Sequence, residues 1–294
     1  MKARTIVFQW KRVLLLNLSN KLLSKEFVPF MKTQVRIISK SHKLQKESFS
    51  PLERLGSNFK VEEIGSNTFH LVWEVPEDSE LFSEYHDHHC FLVFSAMLAA
   101  INIASLGLFS WHDGTEIGPI YIREEPSKLV TLSTDHQQKY ENTLELTERE
   151  VHDALILFGA LSPESEHVIV NEYLKGVMHL CMSYYSINFH REAFSNFYRV
   201  IEYLVTNRIL GKRKLKNELV QLQNVFRDFG ADEELISEFK NIYTIRSAQI
   251  MHAQIQPKKV SFDEVLIVKT FCDLLLNKYY RRIAESWRKE QRNG

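Results

Sequence analysis

Glycine and proline are scarce in this chain, ten and seven among 294 residues, so no long flexible linker is implied. Cysteine is scarcer. Cys90, Cys181 and Cys272 stand far apart without a CxxC pair, which argues against a disulfide framework and for a reducing, cytoplasmic setting. Net charge is absent too, with 37 Lys and Arg against 37 Asp and Glu, so bulk charge announces no nucleic-acid partner. There is no glycine-rich phosphate loop and no Gly-x-Ser-x-Gly elbow. The run His86-Asp87-His88-His89-Cys90 gathers metal-ligating residue types, but consecutive side chains diverge and no partner pair follows at ligand spacing. Neither a metal nor a cofactor is expected.

What remains is ordinary globular material, 44% apolar and 25% charged, long enough for one large or two ordinary domains. Its charge is uneven. Residues 1–46 carry eleven basic side chains against the single acid Glu26, and read as a basic N-terminal arm. Within it the apolar run Val13-Leu14-Leu15-Leu16 is too short for a secretory segment and no small-residue cleavage site follows, so export is not expected. Residues 47–145 read as a mixed α+β domain, with strands over Thr68 to Val75, Ile120 to Arg123 and Leu129 to Leu132. Between them Phe91 to Trp111 is uncharged for 21 residues, long enough to span a membrane. Its flanks lack Lys and Arg, and Ser95, Asn102, Ser105, Gly107 and Ser110 interrupt it, so the expectation is a buried helix and no membrane contact.

From residue 146 to 294 the pattern is helical. Thr147-x-x-Glu150 and Ser261-x-x-Glu264 are capping boxes, Asp232 is a cap, and Gly211 and Gly230 stand where helices stop. Apolar residues at helical spacing, such as Phe194, Phe197, Tyr198, Ile201, Leu204 and Val205, give six helices with short connections. The fold class is mainly α: a helical bundle preceded by a smaller mixed part.

The chemistry concentrates in one stretch. Ile242 to Gln256 contains Arg246 and His252 with five residues between them, and Pro257 follows. Proline cannot continue a regular helix, so His252 falls in a last turn whose unpaired carbonyls favour a cation. An arginine that holds phosphate oxygens, beside a histidine that moves protons, is an apparatus for cleaving a phosphodiester. The spacing alone is weak, because Arg36 and His42 repeat it in the same chain. On one regular helix Arg246 and His252 face different sides, so either the helix distorts or a second subunit completes the site. The turn Lys212-Arg213-Lys214 is a candidate contact for RNA phosphates, or an ordinary solvated charge run. Tyr184, Tyr185, Phe189 and Tyr198 suit either base stacking or the core.

A long helix reading Phe197-Tyr198-Arg199-Val200-Ile201-Glu202-Tyr203-Leu204, then Tyr243-Thr244-Ile245-Arg246-Ser247 with His252, then a closing amphipathic helix, resembles the HEPN superfamily and its Apea-like branch. The resemblance covers about residues 166 to 285. The family motif, arginine, four to six residues, then histidine, is met by Arg246 and His252, and Glu202 stands where related sequences often place a glutamate. Many catalytic members carry Asn, Asp or His after the arginine, where this chain has Ser247. The resemblance implies a metal-independent endoribonuclease acting as a homodimer, with both motifs facing one cleft. Arg246 and His252 would be catalytic, Glu202 supporting, and Ser247 an RNA contact beside the basic turn. A defence or toxin-type role, checked by an antitoxin-like protein partner, belongs to the same expectation. Its alternative is a catalytically silent HEPN dimer that binds RNA or protein.

Overall fold

Phe69, Leu71 and Trp73 alternate along the chain and are all buried, which puts one face of a strand on a core, and Val72 on the other face is covered as well. The computed structural model describes residues 30–54, 59–76, 86–111, 123–125, 128–130, 144–182, 189–212, 216–247 and 259–293. In chain order it opens with β1 (Phe30–Ser39), β2 (His42–Lys43), the short helix α1 (Ser50–Arg54), β3 (Phe59–Glu62) and β4 (Thr68–Pro76). Helix α2 (His86–Ser105) follows, then β5 (Phe109–Ser110), β6 (Arg123–Glu125), β7 (Lys128–Val130) and β8 (Leu144–Glu145). The main sheet is antiparallel in the order β3-β4-β1-β5, with Phe30 opposite Pro76 and Ile38 opposite Thr68. β6 pairs with β7, and β2 pairs in parallel with β8.

Residues 30–43, expected as the end of a basic arm, instead supply β1 and β2. Gln34 and Arg36 are exposed while Ile37 is buried, so Arg36 lies on the outer face of a strand. His42 is also buried and stacks on Phe109 with ring centres 5.4 Å apart, which makes the second Arg–His pair part of the framework. The uncharged stretch 91–111 divides into α2 and β5. Asn102 joins them: its amide nitrogen donates to the carbonyl of Phe109 and its oxygen accepts from the same residue's N–H, both at 2.9 Å. Among the described residues no helix is long and apolar enough to cross a membrane.

The bundle consists of α3 (Glu148–Leu161), α4 (His167–Cys181), α5 (His190–Tyr203), α6 (Glu218–Asp228), α7 (Glu233–Ile245) and α8 (Phe262–Asn293). Its starts follow the expected chemistry. Thr147 and Glu150 close one capping box, Ser261 and Glu264 another, and Asp232 accepts from the N–H of Leu235 at 2.8 Å. α5 runs on through a π-helical segment, Leu204–Ile209, before Gly211 takes a left-handed φ of 59°. Phe226, Phe239 and Phe271 meet with ring centres 4.7 to 5.2 Å apart and lock α6, α7 and α8 together. The fold is mainly helical, as expected, and its main sheet is small and antiparallel.

The boundary expected near residue 145 does not divide the core. Buried residues from Ile37 to Tyr280 form one continuous cluster, because α2 is apolar nearly all round and needs the sheet on one side and α3, α4 and α8 on the others. A buried ion pair lies inside it. Lys269 and Asp273 on α8 are 3% and 1% exposed, 2.5 Å apart, and Tyr173 of α4 donates to Asp273 at 2.7 Å. Burial pushes the Asp273 carboxyl up, against the pull of Lys269 and of Tyr173. Removing one charge strands the other, so Lys269→Met is expected to cost about 3–5 kcal/mol in urea unfolding followed by circular dichroism. The double change Lys269→Met, Asp273→Leu should recover most of that loss.

Candidate functional site

Three helices converge on one guanidinium. α7 ends at Ile245, and Arg246 and Ser247 continue in a wider, π-type turn. α5 brings Glu202 just before its own π segment begins at Leu204. α6 opens with Glu218, directly after the left-handed Asn217 at φ 53°. π-helical turns insert a residue into the helical register, redirect the side chains beside them, and occur often at functional positions.

Arg246 is 15% exposed. Its Nη1 stands 3.4 Å from Oε2 of Glu218 and its Nη2 stands 3.6 Å from Oε1 of Glu202. The guanidinium carbon lies 5.2 Å from the ring centre of Tyr198 and 5.9 Å from that of Tyr243, within cation–π range. Tyr198 is buried and donates its hydroxyl to Oε1 of Glu218 at 3.0 Å. Burial first, and then the neighbouring Glu218, drives the Tyr198 phenol far above its ordinary range, so it stays a hydrogen-bond donor. The Glu202 carboxyl is also raised, by burial and then by Glu218, with Arg246 pulling the other way. Two carboxylates share one cation, Glu202 the more exposed of the two.

Arg246 and Glu202 are therefore brought together, and Ser247 is half-buried beside them. Lys212 is exposed and donates to Gln221 of α6 at 3.3 Å. His252, Arg213 and Lys214 lie outside the described residues, as do Tyr184 and Tyr185. Phe189 stacks on His179 with ring centres 5.8 Å apart. Tyr198 belongs to the core, not to a base-stacking surface, because its ring and hydroxyl are both spent on Arg246 and Glu218. Among the described residues no three His, Cys, Asp or Glu gather as a metal site. Sequence reasoning missed Glu218. Its one signal was an acid opening a helix straight after a basic turn, where an anion is favoured but no partner is indicated.

The raised Glu202 carboxyl has a pH consequence. The folded chain holds that proton more tightly than the unfolded one, whose carboxyl titrates near 4.5, so ionised Glu202 opposes folding above the folded value. Glu202→Gln is expected to melt at a higher temperature than the unmodified chain at pH 7, the gap closing as pH falls below about 4.5. Thermal unfolding across a pH series checks this, and a gap of the opposite sign at neutral pH would contradict it.

Comparison with protein-family models, with curated proteins and with solved structures finds no match for this chain.

Proposed function

We propose that residues 166–285 form a HEPN-type domain of the Apea-like kind, and that the chain is an endoribonuclease whose site contains Arg246 and His252. One observation carries the proposal. The arginine at the motif position is only 15% exposed; two glutamates and two tyrosines from α5, α6 and α7 surround it. Such preparation of a guanidinium suits an arginine that must meet a phosphate in one orientation.

In this reading the ribose 2′-OH attacks the adjacent phosphorus and the 5′-oxygen departs. One His252 accepts the hydroxyl proton, and a second, from the other copy of a homodimer, protonates the leaving oxygen. Arg246 spreads the charge that builds on the phosphorane. The product carries a 2′,3′-cyclic phosphate, and DNA, which lacks the 2′-OH, does not react. The proposed setting is cytoplasmic RNA degradation of a defence or toxin type, held in check by an antitoxin-like partner.

A second reading is a silent HEPN dimer that binds RNA or a partner protein. Two features favour it: Ser247 follows the arginine, and Glu202 with Glu218 outnumber the charge of Arg246.

RNA cleavage by purified protein in EDTA, with end-group analysis, tests the choice. The unmodified chain should cleave and leave cyclic phosphate ends, while His252→Ala should lose about 10²–10⁴-fold in rate. Equal cleavage by both proteins would remove His252 from the chemistry. Dimer formation and RNA binding without cleavage would select the silent scaffold.

A further inference from the structure

The charge at Arg246 is out of balance. One guanidinium faces the carboxylates of Glu202 and Glu218, so no surplus positive charge is left to draw in a phosphate. An anion reaches this arginine only by exchange with one of them. The two are not equivalent. Glu218 is 17% exposed, lies 3.4 Å from Nη1, accepts from Tyr198 at 3.0 Å, and opens a helix whose free N–H groups favour an anion. Glu202 is 41% exposed, lies 3.6 Å from Nη2, and among the described residues accepts no hydrogen bond.

We infer that Glu202 is a displaceable stand-in for the ligand: a phosphate oxyanion takes its place at Nη2 of Arg246, while Glu218 and Tyr198 keep the guanidinium where it is. The inference rests on the reading of Arg246 as the contact for RNA phosphate. Tyr198 and Tyr243, with ring centres 5.2 and 5.9 Å from the guanidinium carbon, oppose any movement of the arginine after the departing carboxylate. Glu202 is the more exposed and the more distant of the two and lacks the Tyr198 hydrogen bond that holds Glu218, so it withdraws from the arginine more easily. Glu202 thus sets a threshold. A weakly held anion does not displace it, whereas a strand that engages the protein at several phosphates does.

The test uses the full chain in four forms: unmodified, Glu202→Gln, Glu218→Gln and Arg246→Gln. Inorganic phosphate is titrated by calorimetry, and a labelled single-stranded RNA by fluorescence anisotropy. Glu202→Gln should bind phosphate about tenfold more tightly than the unmodified chain, as expected for removing one charge next to a partly exposed site. Glu218→Gln should show no such gain, and Arg246→Gln should bind neither probe at this site. Equal gains in both glutamate variants would mean simple charge removal and would overturn the exchange, as would unchanged phosphate affinity in Glu202→Gln. Tighter phosphate binding in Glu202→Gln, with RNA bound by none of the four, would leave the exchange standing and remove RNA as its ligand. Circular dichroism of each form without ligand separates lost binding from lost folding.

Discussion

Asp273 has no water to fall back on. It lies at the centre of the one continuous core, and its charge is met by Lys269 one turn earlier on α8 and by the hydroxyl of Tyr173 on α4. A buried carboxylate without such partners would be driven neutral or driven out. α8 therefore has to face α4 in one rotation and at one height, because an apolar face alone would tolerate sliding by a turn and a hydrogen-bonded pair does not. That constraint reaches the rest of the bundle. α8 packs Phe271 against Phe226 and Phe239, and so fixes the positions of α6 and α7, which deliver Glu218 and Arg246.

The Lys269–Asp273 pair and the Arg246 cluster behave differently because their depths differ. At Lys269 and Asp273 one cation meets one anion with almost no exposure, and the arrangement is closed. At Arg246 one cation meets two anions at the edge of the bundle, and each contact is longer than a normal hydrogen bond. A closed pair serves the fold. An arginine held by two loosely seated carboxylates keeps its orientation while its partners remain open to exchange.

Much of the architecture was legible in the residues. The helices of the bundle announced themselves through Thr147 with Glu150, Ser261 with Glu264, Asp232 and Gly211, each of which acts locally and needs no knowledge of tertiary packing. β1 was not legible, since its basic residues alternate with apolar ones in a stretch whose composition suggested a solvated arm. Lys269 and Asp273 stand four apart, the spacing of an ordinary helix-surface pair, and only the packing of α4 over α8 puts them inside. Glu218 was hidden for a related reason. A contact between residues on different helices depends on where those helices turn, and here two of them leave α geometry next to the site.

Those departures bear on why the site is where it is. A π-helical turn has poorer hydrogen-bond geometry than the α-helix around it and persists where another interaction outweighs that cost. α5 widens immediately after Glu202, and the helix that begins as α7 widens at Arg246 itself. Regular continuation would rotate each following residue by the usual 100°, and the motif residues Arg246 and His252 would then diverge around one helix. The described helix has already left that regular register at Arg246, the residue where the count begins.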